Sequence, residues 1–174
     1  MAEAAHFSVI DMARPILETL AAETNESVVL TTLNKNRVIA LDHIQGSNRL
    51  VSVLEVGSTL PLHCSASGKA MLAKRGTKDS KSLLKNIDLT PYTKNTITSL
   101  NELSKELEKI QETGISRDYE EHSYGICSTA VATKTVTGSL IALAVTVPTV
   151  RYHDTKEKIA HLLQTYTSKL ESIV

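Results

Sequence analysis

The chain has 174 residues, 41% of them hydrophobic, which suits one domain with a real core. Lys plus Arg and Asp plus Glu both number 19, a balance that weighs against a strong nucleic-acid footprint and against attraction to an anionic membrane. Five Tyr, one Phe and no Trp weigh against a stacking platform for single strands, and no apolar run nears the ~18 residues that span a bilayer. Cys64 and Cys127 lack framework spacing and read as free intracellular thiols in preference to a disulfide, which stays open as the alternative. With no basic segment ahead of an apolar one at the start, the chain reads as cytoplasmic.

In chain order, apolar residues at Val9, Ile10, Ala13, Ile16, Leu17 and Leu20 predict a first helix over His6–Ala22, with Pro15 kinking it or sitting in the first turn of a helix from Ala13. Ser27–Thr32 and Arg37–Ile44 read as strands around a tight turn at Asn34–Asn36. Leu50–Val56 alternates and predicts a third strand ending at Gly57. Ser67–Lys74 is a short helix closed by Lys74, Arg75 and Gly76, and Asp79–Asn86 another. Ser99 with Glu102 forms a capping box before a helix whose apolar face is Leu100, Leu103, Leu107 and Ile110. Gly125–Thr133 and Ser139–Val147 form a hairpin around Thr137-Gly138, and an amphipathic helix follows from Asp154. This order predicts an α+β domain with a largely antiparallel sheet.

Two segments carry chemistry. Along Ser139–Val147, Ile141, Leu143, Val145 and Val147 share a bulky face, while Leu140, Ala142, Ala144 and Thr146 share a trimmed one. Ser128, Ala130 and Ala132 continue the trimmed pattern on the preceding strand. Such a face either lets a helix approach closely or lines a cavity. In the other segment, PLHCSASGKAMLA at Pro61–Ala73, small residues lead into a helix whose first N–H groups suit a carboxylate or phosphate oxygen. Ser67 is equally readable as a plain N-cap.

HCSASGKAMLA at His63–Ala73, together with Gly114-x3-Asp118-x-Glu120-Glu121-x3-Gly125 and the small-residue strand after it, resembles the effector-binding domain of IclR-type bacterial transcriptional regulators. The hairpin ending in Thr146-Val147-Pro148 also fits, and the likeness covers nearly the whole chain. The resemblance implies a GAF-like or profilin-like domain over residues 1–174, a curved, mostly antiparallel sheet of about six strands with helices on both sides. It implies a longer regulator, whose winged helix-turn-helix reader of operator DNA lies outside this chain. It further implies a homodimer or homotetramer, a small carboxylic, aromatic or sugar acid as effector, and neither cofactor nor membrane.

By the same resemblance the backbone amides of Ala66 and Ser67 hold a carboxylate, Asp118 accepts from a ligand hydroxyl or orders its loop, and Ile126 is an apolar wall. Ser128 falls at a position that is Cys or Ser in the family, and Cys127 takes that place if the strand slips by one. Ala144 and Thr146 fall at positions that are often serine, so Ala144 removes a hydroxyl. Arg49 and Ser52 stand on the expected third strand where an apolar lid residue is common; the planar fork of Arg49 suits a ligand carboxylate, and Arg49 is equally readable as a solvated edge residue. These departures weigh against a simple two- or three-carbon oxoacid.

Catalytic patterns fail. Gly68-Lys69 lacks the upstream glycine of a phosphate loop and Ala70 replaces its Ser/Thr; Cys64–Gly68 is no nucleophile elbow. Neither a catalytic residue nor a metal ligand is therefore assigned, although His63, Cys64, His122 and Cys127 are ligand types. A sealed GAF-like dimerisation module and a metal-binding sensor stay open as alternatives. Lys69, Lys74, Arg75, Lys78, Lys81 and Lys85 read as a solvated helical face in preference to a basic patch for DNA.

Overall fold

Strict alternation along the last strand sorts its side chains onto two faces, and the fold covers each face with its own pair of helices. The computed structural model describes residues 2–174, with side chains described at 9–76 and 78–174. Its elements are α1 (Ala2–Thr24), β1 (Ser27–Asn34), β2 (Arg37–Ile44), β3 (Thr59–Leu60), α2 (Ala66–Arg75), α3 (Thr77–Lys85), α4 (Leu100–Thr113), β4 (Ser116–Tyr119), β5 (Ile126–Lys134), β6 (Leu140–Pro148) and α5 (Thr149–Glu171). The strands make one curled antiparallel sheet in the order β3-β2-β1-β6-β5-β4. This is the α+β arrangement the sequence predicts.

The bulky face of β6 (Ile141, Leu143, Val145, Val147) packs with Val28 and Leu30 of β1 against α1 and α5. Those helices contribute Val9, Ala13, Leu17 and Leu20, and Ile159, Leu163 and Leu170, at spacings of three, four and seven residues. The trimmed face (Leu140, Ala142, Ala144, with Ala130 and Ala132 of β5) lies under α2 and α4, whose buried residues include Ala66, Ala70, Met71, Leu103, Leu107 and Ile110. Alanine meeting alanine brings α2 close to the sheet.

Several expectations need correcting. Helix α1 runs through Pro15, which is exposed, rather than starting near Ala13. Helix α5 begins at Thr149, directly after the last strand. The third strand is not Leu50–Val56. The partner of β2 is Thr59–Leu60, opposite Val38 and Ile39. Residues 45–50 are held elsewhere by other bonds. Gly46 sits so close to Asn25 and Glu26 that a Cβ there would lie 2.5 Å from the Asn25 carbonyl. Asn48 donates to Glu26 Oε1 and Arg151 to the Leu50 carbonyl, while Arg151 also grips the buried Glu26 carboxylate. Side-chain anchors, invisible to an alternation pattern, draw this segment away from the ladder. In the acidic segment a strand that the sequence reading did not place, β4, pairs with β5 over Cys127–Ala130.

Candidate functional site

The register of the sheet lines up three polar residues. Asp118 of β4 stands opposite Ser128 of β5, and Ser128 opposite Thr146 of β6. Two residues along the strands, Ala144 stands opposite Val29 of β1. Across from this row lies the turn into α2, and between them is a cavity of ≈ 270 Å³. Its lining comprises Ser65, Ala66 and Ser67 from the cap and first turn of α2, His122 and Ser123 from the loop between β4 and β5, and Asp118, Ile126, Ser128, Ala144 and Thr146 from the sheet. Val29, Leu60 and the Ser52–Leu54 segment complete the wall.

Of the nine residues expected at a binding site, the structure brings eight to this cavity: Ser52, Ala66, Ser67, Asp118, Ile126, Ser128, Ala144 and Thr146. Arg49 is exposed and outside the lining, because the strand expected to carry it does not form. Cys127 turns to the opposite face, into the core under α1 and α5, which settles the register in favour of Ser128. Ser65, not Ser67, is the N-cap of α2: its hydroxyl oxygen accepts from Gly68 N–H at 3.1 Å and its O–H donates to the Pro61 carbonyl at 2.6 Å. That leaves Ala66 and Ser67 in the first turn, where helix geometry gives their N–H groups no intrahelical acceptor.

The acidic loop is tied down residue by residue. Asp118 Oδ1 accepts from Glu121 N–H at 2.7 Å, and Glu120, at φ +53°, turns the chain. Glu120 Oε1 accepts from Gly125 N–H and Thr149 Oγ1, so it orders the loop as its surface position suggests. Glu121 is buried and pairs with Lys69 at 2.7 Å. Lys69 is fully buried, unlike the solvated residue its place in a basic run suggests. Its ammonium also donates to the Arg117 carbonyl and to Glu106. Burial pushes the Asp118 carboxyl up to about 7, with the neighbouring Glu121 charge adding to the effect. Burial likewise pushes the Cys64 thiol up to about 12 and the His122 imidazole down. His63 is buried with Nε2 within 3.0 Å of the Thr90 carbonyl, and Tyr92 lies between its ring and that of His122. Among the described residues no three His, Cys, Asp or Glu side chains gather as a metal ligand set, and both cysteines are free.

The sequence reading passed over Val29, Val53, Leu54, Leu60, Ser65, His122 and Ser123 as lining residues. Ser65 and His122 stood inside motifs already singled out. The apolar ones carry no signal that separates a cavity wall from ordinary core.

Residues 1–172 match the sequence family described as "Bacterial transcriptional regulator IclR C-terminal". The chain is 33% identical, over 99% of its length and 66% of the relative's, to the HTH-type transcriptional regulator Rv1719 of Mycobacterium tuberculosis. The crystal structure of the Thermotoga maritima IclR superimposes with a TM-score of 0.89 at 27% identity, covering 94% of this chain and 67% of that one. An IclR homolog from Microbacterium hydrocarbonoxydans complexed with 4-hydroxybenzoate shares the fold at a TM-score of 0.85 and 20% identity, covering 96% of this chain and 68% of that one. The chain spans about half to two thirds of the length of the curated relatives it matches.

Proposed function

The chain belongs to the IclR family of bacterial transcriptional regulators, as the C-terminal domain of that family, and we propose that it senses a small carboxylic acid in the cavity between α2 and the sheet. One observation carries the reading: the Asp118–Ser128–Thr146 row faces the first turn of α2 across a cavity of ≈ 270 Å³. N–H groups at a helix start favour a carboxylate. Three hydroxyl or carboxyl groups in a row suit a ligand with further oxygens, while Val29, Leu54, Leu60 and Ile126 offer an apolar surface to its body. The fold neighbour complexed with 4-hydroxybenzoate supports an aromatic acid over a two-carbon one. Burial pushes the Cys64 thiol up to about 12, which keeps it protonated and a poor nucleophile at neutral pH.

The whole regulator, on this reading, is a cytoplasmic homodimer or homotetramer that binds operator DNA through a domain outside this chain. Effector binding shifts operator affinity to the extent that it favours one protein arrangement over another.

The test is calorimetric titration of the chain with aromatic, sugar and short-chain carboxylic acids and with their neutral amides. At least one acid binds and its amide binds more weakly, and Ser128→Leu removes that binding while leaving the protein folded. Absence of binding by every acid, or binding unchanged in Ser128→Leu, contradicts the proposal.

A further inference from the structure

We infer that this cavity takes up an acidic effector together with one proton, which stays on Asp118 as an O–H that hydrogen-bonds to the effector's carboxylate. The inference rests on the effector-binding reading above and concerns how that same site is regulated.

Its basis is the accounting of charges and donors around Asp118. An ammonium has three donors, and Lys69 spends all three on the protein: on Glu121 Oε1 at 2.7 Å, the Arg117 carbonyl at 2.6 Å and Glu106 Oε1 at 3.1 Å. None remains for Asp118 or for a ligand. Asp118 is only 5% exposed; the Glu121 backbone N–H donates to it at 2.7 Å and the His122 backbone N–H adds a weaker contact, too little to offset its burial. Around it, α2 contributes Lys69, α4 contributes Glu106 through Lys69, and the loop contributes Glu121 and His122, while Glu120 turns its carboxylate away to Gly125 and Thr149. Cys64 precedes α2 and Cys127 lies on β5; burial keeps both thiols neutral. Burial also holds His122 below its ordinary range, and the nearby His63 acts in the same direction. One buried cation thus faces the carboxylates of Asp118, Glu121 and Glu106, and Glu121 Oε2 is buried with no hydrogen-bond partner among the described residues.

A second anion placed against an ionised Asp118 meets like charge where burial has already stripped away water, a cost that protonation removes. The step balances simply. A solvent proton joins the Asp118 carboxylate, and the new O–H donates to one oxygen of the effector while Ala66 and Ser67 N–H groups serve the other. No other bond forms or breaks. The same burial that pushes the Asp118 carboxyl up to about 7 makes the proton available near neutral pH.

The experiment has two arms on the 174-residue chain. In the first, the protein carrying 13Cγ-labelled aspartate is titrated by NMR without ligand, with the Asp118 signal identified by its loss in Asp118→Asn. Its midpoint is expected well above the ordinary carboxylate range, and a midpoint below about 5 overturns the inference. In the second, the tightest acid of the calorimetric panel, beginning with 4-hydroxybenzoate, is titrated in phosphate and in Tris between pH 6 and pH 8.5. Binding is expected to absorb close to one proton at the upper end and to weaken about tenfold per pH unit there. Asp118→Asn, whose amide donates at every pH, is expected to bind with a flat profile. An acid that binds without proton uptake, or a pH dependence that survives in Asp118→Asn, sinks the inference and leaves the effector reading intact. If no acid of the panel binds at any pH, the effector reading fails and takes this inference with it.

Discussion

The two faces of β6 are one residue apart in sequence and behave differently. On one face Leu143 and Val145 fill the space under α1 and α5 completely. On the other, Ala142 and Ala144 are both alanine, both buried and both part of the layer under α2 and α4, yet Ala144 also lines the cavity and Ala142 does not. Small side chains therefore do not make a pocket by themselves. They bring a helix close where the helix continues and leave a void where it starts. The trimmed face yields both outcomes because α2 begins above it, at the Ser65 cap.

The largest expected effect concerns what holds the cavity's far wall. Lys69→Ala leaves Glu121 buried without its counter-ion, and urea unfolding should show a loss of about 3–5 kcal/mol. A loss below about 1 kcal/mol contradicts the idea that the acidic loop is fixed from α2. Next comes the pair of alanines. Ala142→Leu overpacks a closed layer and should cost about 1–3 kcal/mol, whereas Ala144→Leu grows into the cavity and should cost less while eliminating acid binding. Equal costs at the two positions break the comparison between the two ends of the face.

The pH dependence sharpens it further. Burial raises the Asp118 carboxyl, so the folded chain holds that proton more tightly than the unfolded chain does. Its contribution to stability is complete below the unfolded value near 4 and is lost as pH rises through about 7. Asp118→Asn, which keeps an acceptor for Glu121 N–H, should therefore gain on the order of 1–3 kcal/mol over the parent at pH 8 and little at pH 4. The smallest effect is expected at the helix start, where Ser65→Ala removes the cap and should lower stability by about 1 kcal/mol.

Much of this was legible in the chain, unevenly. The helical face of α4, the turn at Thr137-Gly138 and the two faces of β6 follow from local periodicity and turn chemistry. So did most of the polar lining, because Ser67, Asp118 and Ser128 sit in motifs of recognisable spacing. Arg49 was misplaced and β3 mislocated for one physical reason: Glu26, Asn48 and Arg151, distant in sequence, hold the 45–50 segment off the ladder. Lys69 was misread because a lysine in a basic run gives no sign of carboxylates 37 and 52 residues away. Val29, Leu54 and Leu60 face the cavity as ordinary strand and loop hydrophobics, and only the position of α2 distinguishes them from core.

The most direct measurement is the melting temperature of the parent and of Ala144→Leu, side by side, across the panel of small acids at pH 6.5. The account predicts that at least one acid, at about a hundred times its dissociation constant, raises the parent by several degrees and leaves Ala144→Leu unmoved. No shift in the parent with any acid, or the same shift in both proteins, would contradict it.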